Sequence, residues 1–191
     1  MKFKDLNPPI IELAEHQRFY RVQLRRARNT SVRINGLLLP PAGLLEGRFC
    51  LPDEATGYFA DSQETALYEA VFRRDTVSRS LDDLRRKALV EVTTLGPLRL
   101  ADVRGLAEPY PVLQAQRIAA TQAFAKDCRQ RHLNGIIYAS AQHPHHSCVC
   151  LFASGLAFAK RQSALSLVKP GTNQLLRVVV DAALRSGVPL L

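Results

Sequence analysis

Gly57-Tyr58-Phe59-Ala60-Asp61-Ser62-Gln63-Glu64-Thr65-Ala66-Leu67-Tyr68-Glu69 is the stretch from which the architecture can be read. Gly57 to Ala60 reads as a short strand. Asp61 is a residue type that caps helices, and Glu64 three positions later completes a box-like start. From Gln63 to Arg74 the pattern is helical, with Ala66, Leu67, Ala70 and Val71 on one face. Glu69 lies beside that face, an unusual place for a carboxylate. A strand thus runs directly into a helix that carries an acid on the flank of its apolar stripe.

Upstream, Phe19 to Leu24 roughly alternates apolar and polar, as a first strand does, with Arg21 directly after an aromatic. Residues 1–18 carry Pro8-Pro9 and predict a short helix or an arm. Asn35 to Glu46 holds Gly36, Pro40, Pro41 and Gly43 and reads as a loop, and Pro52-Asp53-Glu54 reads as a turn. Downstream, Leu81 to Lys87 predicts a short amphipathic helix. Ala88 to Val92 and Leu98 to Val103 predict two strands around Gly96-Pro97. Gln114 to Arg131 is the strongest helical pattern: Ala115, Ile118, Ala119, Gln122 and Ala125 share a face, and Gln122 alone among them is polar. Ile136 to Ala139 and Cys148 to Phe152 read as buried strands joined by a polar loop, Gln142 to Ser147. Ala164 to Val168 and Leu175 to Val180 read as terminal strands, the latter with the option of a helix. Short strands mixed irregularly with helices argue α+β rather than a doubly wound sheet.

The chain has 191 residues, about one domain by length. At that size roughly 70% of the unfolded surface can be buried, so neither disulfides nor a structural metal is needed. Hydrophobic residues make up 47% and charged residues 23%, which excludes a disordered, collagen-like or coiled-coil chain. Lys and Arg number 26 against 17 Asp and Glu, a net charge of +9. Such a surface favours a polyanion, an anionic small molecule or an acidic protein. No secretory signal and no apolar run of membrane-spanning length is visible, which points to a cytoplasmic protein.

Other chemistries fare less well. His143, His145, His146, Cys148 and Cys150 crowd together, but Cys148 and Cys150 are one residue apart and no second cysteine pair exists. The expectation is therefore no metal, and four reduced thiols with Cys50 and Cys128. No GxSxG, P-loop or GxGxxG occurs. The cluster Arg18, Arg21, Arg25, Arg26, Arg28, Arg33 keeps a non-catalytic nucleic-acid-binding protein as an alternative of another class. Against it, the chain has no Trp and no recognised nucleic-acid signature.

A dispersed set suits one kind of ligand. Arginine forks such as Arg21 and Arg48 bind phosphates with paired hydrogen bonds. Gly47 before Arg48 lets a ligand approach the backbone. Tyr58 can stack on a planar cationic ring. Glu69 can stabilise positive charge at an anomeric carbon, and Ser140 ends a buried strand.

Gly47-Arg48-Phe49, the stretch Gly57 to Glu69, Phe19-Tyr20-Arg21-Val22, Leu98 to Val103, Thr121 to Ala125, Asn134 to Ser140 and Cys150-Leu151-Phe152 together resemble the RES domain family, named for an arginine, a glutamate and a serine. The resemblance covers about residues 17–155. Phe49-Cys50 follows the glycine–arginine step, where many members carry Trp-Asn and others Phe-Asp. The resemblance implies a single α+β domain with a fold like that of the ADP-ribosyltransferase toxins, a central mixed β-sheet with flanking helices. Residues 1–16 would be an N-terminal arm, 17–155 the catalytic domain, and 156–191 a C-terminal extension packing on it. It implies an NAD-consuming toxin of a toxin–antitoxin pair that breaks the nicotinamide–ribose bond by hydrolysis or phosphorolysis, with protein ADP-ribosyltransfer as the alternative. NAD would be substrate, with no metal. Arg21 and Arg48 would hold its phosphates, Tyr58 would face the nicotinamide, Glu69 would be the catalytic carboxylate, and Ser140 would complete the pocket. The partner implied is a helix-turn-helix antitoxin of Xre type, with nucleic acid reached only through it. No membrane is implied, and a homo-oligomer is left open.

Overall fold

The computed structural model describes residues 1–113 and 118–191. In chain order the elements are α1 (Phe3–Leu6), β1 (Ile10–Leu13), β2 (Arg18–Leu24), β3 (Val32–Ile34), β4 (Leu37–Leu39), β5 (Gly57–Ala60), α2 (Gln63–Ala70) and α3 (Leu81–Arg85). Then come β6 (Lys87–Thr94), β7 (Leu98–Asp102), two 3-10 turns, α4 (Ile118–Gln130), β8 (Gly135–Ala139), β9 (Ser147–Leu151), α5 (Ala153–Leu156), β10 (Ala159–Ser166) and α6 (Arg177–Ser186).

Eight strands form one mixed sheet in the order β1-β7-β8-β9-β5-β2-β6-β10. Among the described residues, only β7 and β8 run parallel. The connection between them carries α4, as a parallel pair requires. The fold is α+β, as the strand and helix pattern indicates.

The short link Leu95-Gly96-Pro97 forces the sheet to curl. β6 and β7 stand second from opposite ends of the strand order. In a flat sheet they would lie about 24 Å apart, whereas the link reaches at most about 14 Å. The two strands around Gly96-Pro97 are therefore not a hairpin but the two rims of a curl. The inside of the curl is filled by Phe19, Phe59, Val90, Val92, Leu98, Leu100, Ile137, Val149 and Leu151, plugged by Leu37 and Leu39. The outer face packs under the helices, with Leu67, Val71, Phe124, Ala125, Ile136, Cys150 and Val179 in its core. All four cysteines are buried free thiols.

Several local expectations are corrected. Asn35 to Glu46 is not all loop, because β3 and β4 pair around Asn35-Gly36. Both turn residues have positive φ, 47° and 82°, the requirement of a type I′ hairpin. The cap of α2 is Ser62, whose Oγ accepts from Thr65 N at 3.1 Å. Asp61 instead accepts from Ser147 N at 2.7 Å and contacts His146, tying β5 to the β8–β9 loop. α2 ends at Ala70 rather than Arg74, because Val71 N and Phe72 N both close on Leu67 O. β10 begins at Ala159, earlier than its apolar run suggested, as an edge strand with an exposed polar pattern. Leu175 to Val180 takes the helical option from Arg177 onward. Gln114 to Arg117, the first turn of the predicted long helix, lies outside the described residues.

Candidate functional site

β2 and β5 share a single residue pair, Tyr20 with Ala60, among the described residues. At this parting the sheet opens into a cavity of about 610 Å³. That size is ordinary for a cofactor-sized ligand. Its walls are Tyr20, Arg21 and Val22 of β2, Tyr58, Phe59 and Ala60 of β5, Ala66, Glu69 and Ala70 of α2, and the strap Glu46-Gly47-Arg48. Four of the five residues nominated by the sequence therefore line one cavity, and the fifth, Ser140, stands directly behind Glu69.

Arg21 lies at the parting, with its guanidinium carbon 5.4 Å from the centre of the Phe59 ring. Its Nε and Nη1 are buried and have no hydrogen-bond partner among the described residues. Burial pushes its pKa down to about 10, so it is still a cation at neutral pH. Guanidinium nitrogens buried without an acceptor are costly in a native fold. An anion entering the cleft would supply the missing acceptor.

Glu69 is held from behind. Ser140 Oγ donates to Glu69 Oε1 at 2.5 Å and accepts from His143 N at 2.9 Å and Gln142 N at 3.2 Å. Ser140 thus caps the loop after β8 and orients the carboxylate at once. One oxygen of Glu69 is engaged by this clamp. Among the described residues no partner is found for the other, which is available to a ligand.

The strap positions Arg48. Its Nη1 donates to Leu113 O at 2.9 Å, and its guanidinium lies 4.8 Å over the Tyr138 ring. The Tyr58 hydroxyl accepts from Phe49 N at 2.8 Å, and burial raises the pKa of this phenol well above its ordinary value. Tyr58 thereby anchors the strap while its ring lines the cavity. Gly47 makes room for that hydroxyl: a Cβ there would clash with Tyr58 Oη and lie 2.7 Å from Cys50 Sγ. Gly47→Ala is expected to lower stability by about 1–3 kcal/mol through overpacking. Urea unfolding measures this, and an unchanged midpoint would contradict the packing described.

The His-rich loop Gln142 to Ser147 packs on the start of α2. His143 Nδ1 lies 2.8 Å from Thr65 Oγ1, its ring meets Tyr68 edge-on, and His146 stacks on it at 3.8 Å. Burial, then the neighbouring His146, holds the His143 pKa below its ordinary 6.5, with Glu64 and Asp61 pulling it up and Arg185 down. The unfolded chain therefore takes up a proton at a higher pH than the folded one. The contribution of His143 to stability is full above about pH 6.5 and is lost as pH falls toward the lowered folded value. His143→Gln should remove that part of the acid sensitivity. Unfolding midpoints taken from about pH 7.5 to 5 would show it, and parallel curves for both proteins would refute it.

Tyr138, Cys148 and Arg73 also line the cavity, with no local pattern that marks them as its walls. Tyr138 and Cys148 read as buried strand residues, and Arg73 falls within the helical run Gln63 to Arg74. Gln122 did leave a signal, as the polar member of the predicted face, although the face that α4 buries is Thr121, Phe124, Ala125 and Cys128, with Ala119 exposed and Gln122 half-buried at the edge. Its Nε2 donates to Leu45 O at 3.1 Å and Gly47 O at 3.0 Å, gripping the strap. Of the arginine-rich segment, Arg18 pairs with Glu91, Arg21 enters the cleft, and Arg25, Arg26, Arg28 and Arg33 are exposed.

An arginine at the parting of a curled sheet, a carboxylate on the following helix and a serine behind it are the three residue types of the family that the sequence resembles. The RES domain family pattern matches residues 18–170, and the chain belongs to this family. The fold is similar to that of a chain in the crystal structure of the M. tuberculosis MbcT–MbcA toxin–antitoxin complex. The TM-score is 0.58 at 16% identity, covering 83% of this chain and 86% of that one. No curated protein matches the chain in sequence. Among the described residues, no helix is long and apolar enough to cross a membrane.

Proposed function

We propose that the protein is the toxin of a toxin–antitoxin pair and that it cleaves the nicotinamide–ribose bond of NAD, by hydrolysis or phosphorolysis. The observation that carries this reading is a half-buried Arg21, whose Nε and Nη1 are buried and have no partner among the described residues, in the same cavity as a serine-clamped Glu69. A diphosphate satisfies the first, and a cationic ribose the second.

The chemistry asks little of the protein beyond these groups. The nicotinamide leaves with the bonding electron pair, which turns its cationic ring neutral, so no general acid is required. The barrier lies in the oxocarbenium-like ribose, as in glycoside cleavage. Glu69, fixed by Ser140, would stabilise that charge or bind the ribose hydroxyls, and would favour the transition state over the substrate. Arg21 and Arg48 would hold the diphosphate with charge-assisted hydrogen bonds. Tyr58 would offer its ring face to the nicotinamide.

Family membership and the likeness of fold to a toxin–antitoxin complex support a protein partner. We take that partner to be a helix-turn-helix antitoxin and the setting to be the cytoplasm. The purified protein, incubated with NAD, is expected to release nicotinamide. Analysis of the second product with and without phosphate names the acceptor: ADP-ribose for water, ADP-ribose 1″-phosphate for phosphate, labelled protein for transfer. Intact NAD after prolonged incubation would overturn the reading.

A further inference from the structure

Arg48 is carried on a strap, not on a strand or helix, yet its guanidinium must meet a ligand to within about half an ångström to be useful. Leu113 O and the Tyr138 ring meet the guanidinium itself, and something outside the strap has to fix the backbone that carries it. Gln122 is the side chain placed to do so. It comes from α4, the helix packed on β8, and is half-buried at the edge of a face made of Thr121, Phe124, Ala125 and Cys128. Its amide nitrogen faces two carbonyls, Leu45 O at 3.1 Å and Gly47 O at 3.0 Å, which bracket Glu46. Two acceptors require an NH₂ group at that point, so no apolar or acidic side chain of the same length can replace it. The far end of the strap is closed by Cys50 N on Gly47 O at 3.2 Å and Phe49 N on the Tyr58 hydroxyl at 2.8 Å. Gly47 O thus accepts from both Gln122 and Cys50, and the residue immediately after it is Arg48.

We propose that Gln122 is a positioning residue for Arg48: its amide holds the Leu45–Gly47 carbonyls so that the Arg48 guanidinium lies over Tyr138 and faces the cavity. Losing the clamp would free the strap to swing and carry the Arg48 guanidinium off the Tyr138 ring. The role concerns ligand alignment and not bond breaking.

The test uses the full chain with Gln122→Met, which keeps length and volume but has no donor. Gln122→Glu, the same shape with an acceptor set against two carbonyls, is the second variant. The first readout needs no ligand. Hydrogen exchange at the Phe49 and Cys50 amides should speed up at least about tenfold in both variants, while the Phe124 to Cys128 amides keep their protection. Unchanged exchange at Phe49 and Cys50 in either variant overturns the proposal. The second readout rests on the NAD reading and is NAD affinity in a Glu69→Gln background, where turnover is suppressed. Gln122→Met should weaken binding about tenfold. The double change Arg48→Ala with Gln122→Met should bind no more weakly than Arg48→Ala alone, because a positioning residue has nothing left to position. Additive losses overturn the proposal. If the parent protein binds no NAD, the functional reading fails, and the exchange measurement still decides the role of Gln122.

Discussion

Glu69→Gln is expected to slow nicotinamide release by about 10²–10³ while leaving NAD affinity within a few fold. Glutamine keeps the shape and still offers an oxygen to Ser140 Oγ, which now stands 2.5 Å from Glu69 Oε1. The clamp and the loop that it caps therefore survive, and what disappears is the negative charge. Removing a charge that matters only as the ribose becomes cationic lowers kcat and kcat/KM together. Single-turnover kinetics beside a calorimetric titration separates the two effects. A variant that turns over like the wild type would remove Glu69 from the chemistry. A variant that no longer binds would make it a binding residue instead.

Arg21→Met should move function and stability in opposite directions. In the protein without ligand, Arg21 Nε and Nη1 are buried with no acceptor among the described residues. A flexible apolar side chain of similar length removes that penalty and still packs against Phe59. The midpoint of thermal unfolding should rise. NAD affinity should fall by on the order of 10- to 100-fold, the loss expected for a charge-assisted hydrogen bond to a phosphate. Function would thus be maintained at the expense of stability, as is common at binding sites. A lower midpoint would mean that Arg21 is structural. Unchanged affinity in the Glu69→Gln background would remove it from the ligand.

What could be read beforehand follows the range of the interactions involved. The β5–α2 passage was legible because the period of the apolar residues changes within a few positions, from Phe59 to Ala66, Leu67 and Ala70. Asp61 and Ser62 are equally good cap residues, so local sequence does not choose between them. Their roles are decided by Ser147 and His146, far away in sequence. The β3–β4 hairpin was hidden by Pro40, Pro41 and Gly43 directly after it, although Asn35-Gly36 was itself the signal of a tight turn. The curl of the sheet was not legible, because it arises from a strand order that places β6 and β7 on opposite rims.

The site shows the same division. Arg21, Arg48, Tyr58, Glu69 and Ser140 could be nominated by residue type and by resemblance. The lack of a partner at Arg21, the Ser140 clamp and the anchoring of the strap by Tyr58 are tertiary facts with no local pattern. Gln122 lies between the two cases, since a lone polar residue on an apolar helical face marks a contact without naming it.

The measurement that bears most directly on the central claim is a crystal structure of the Glu69→Gln protein soaked with NAD. The diphosphate is expected in the parting between β2 and β5, within hydrogen-bond distance of Arg21 and Arg48. The nicotinamide-bearing ribose carbon is expected to face residue 69, with Ser140 still behind it. Dinucleotide bound elsewhere on the chain, or a cleft that stays without dinucleotide at saturating NAD while Arg21 remains unpartnered, would contradict the account.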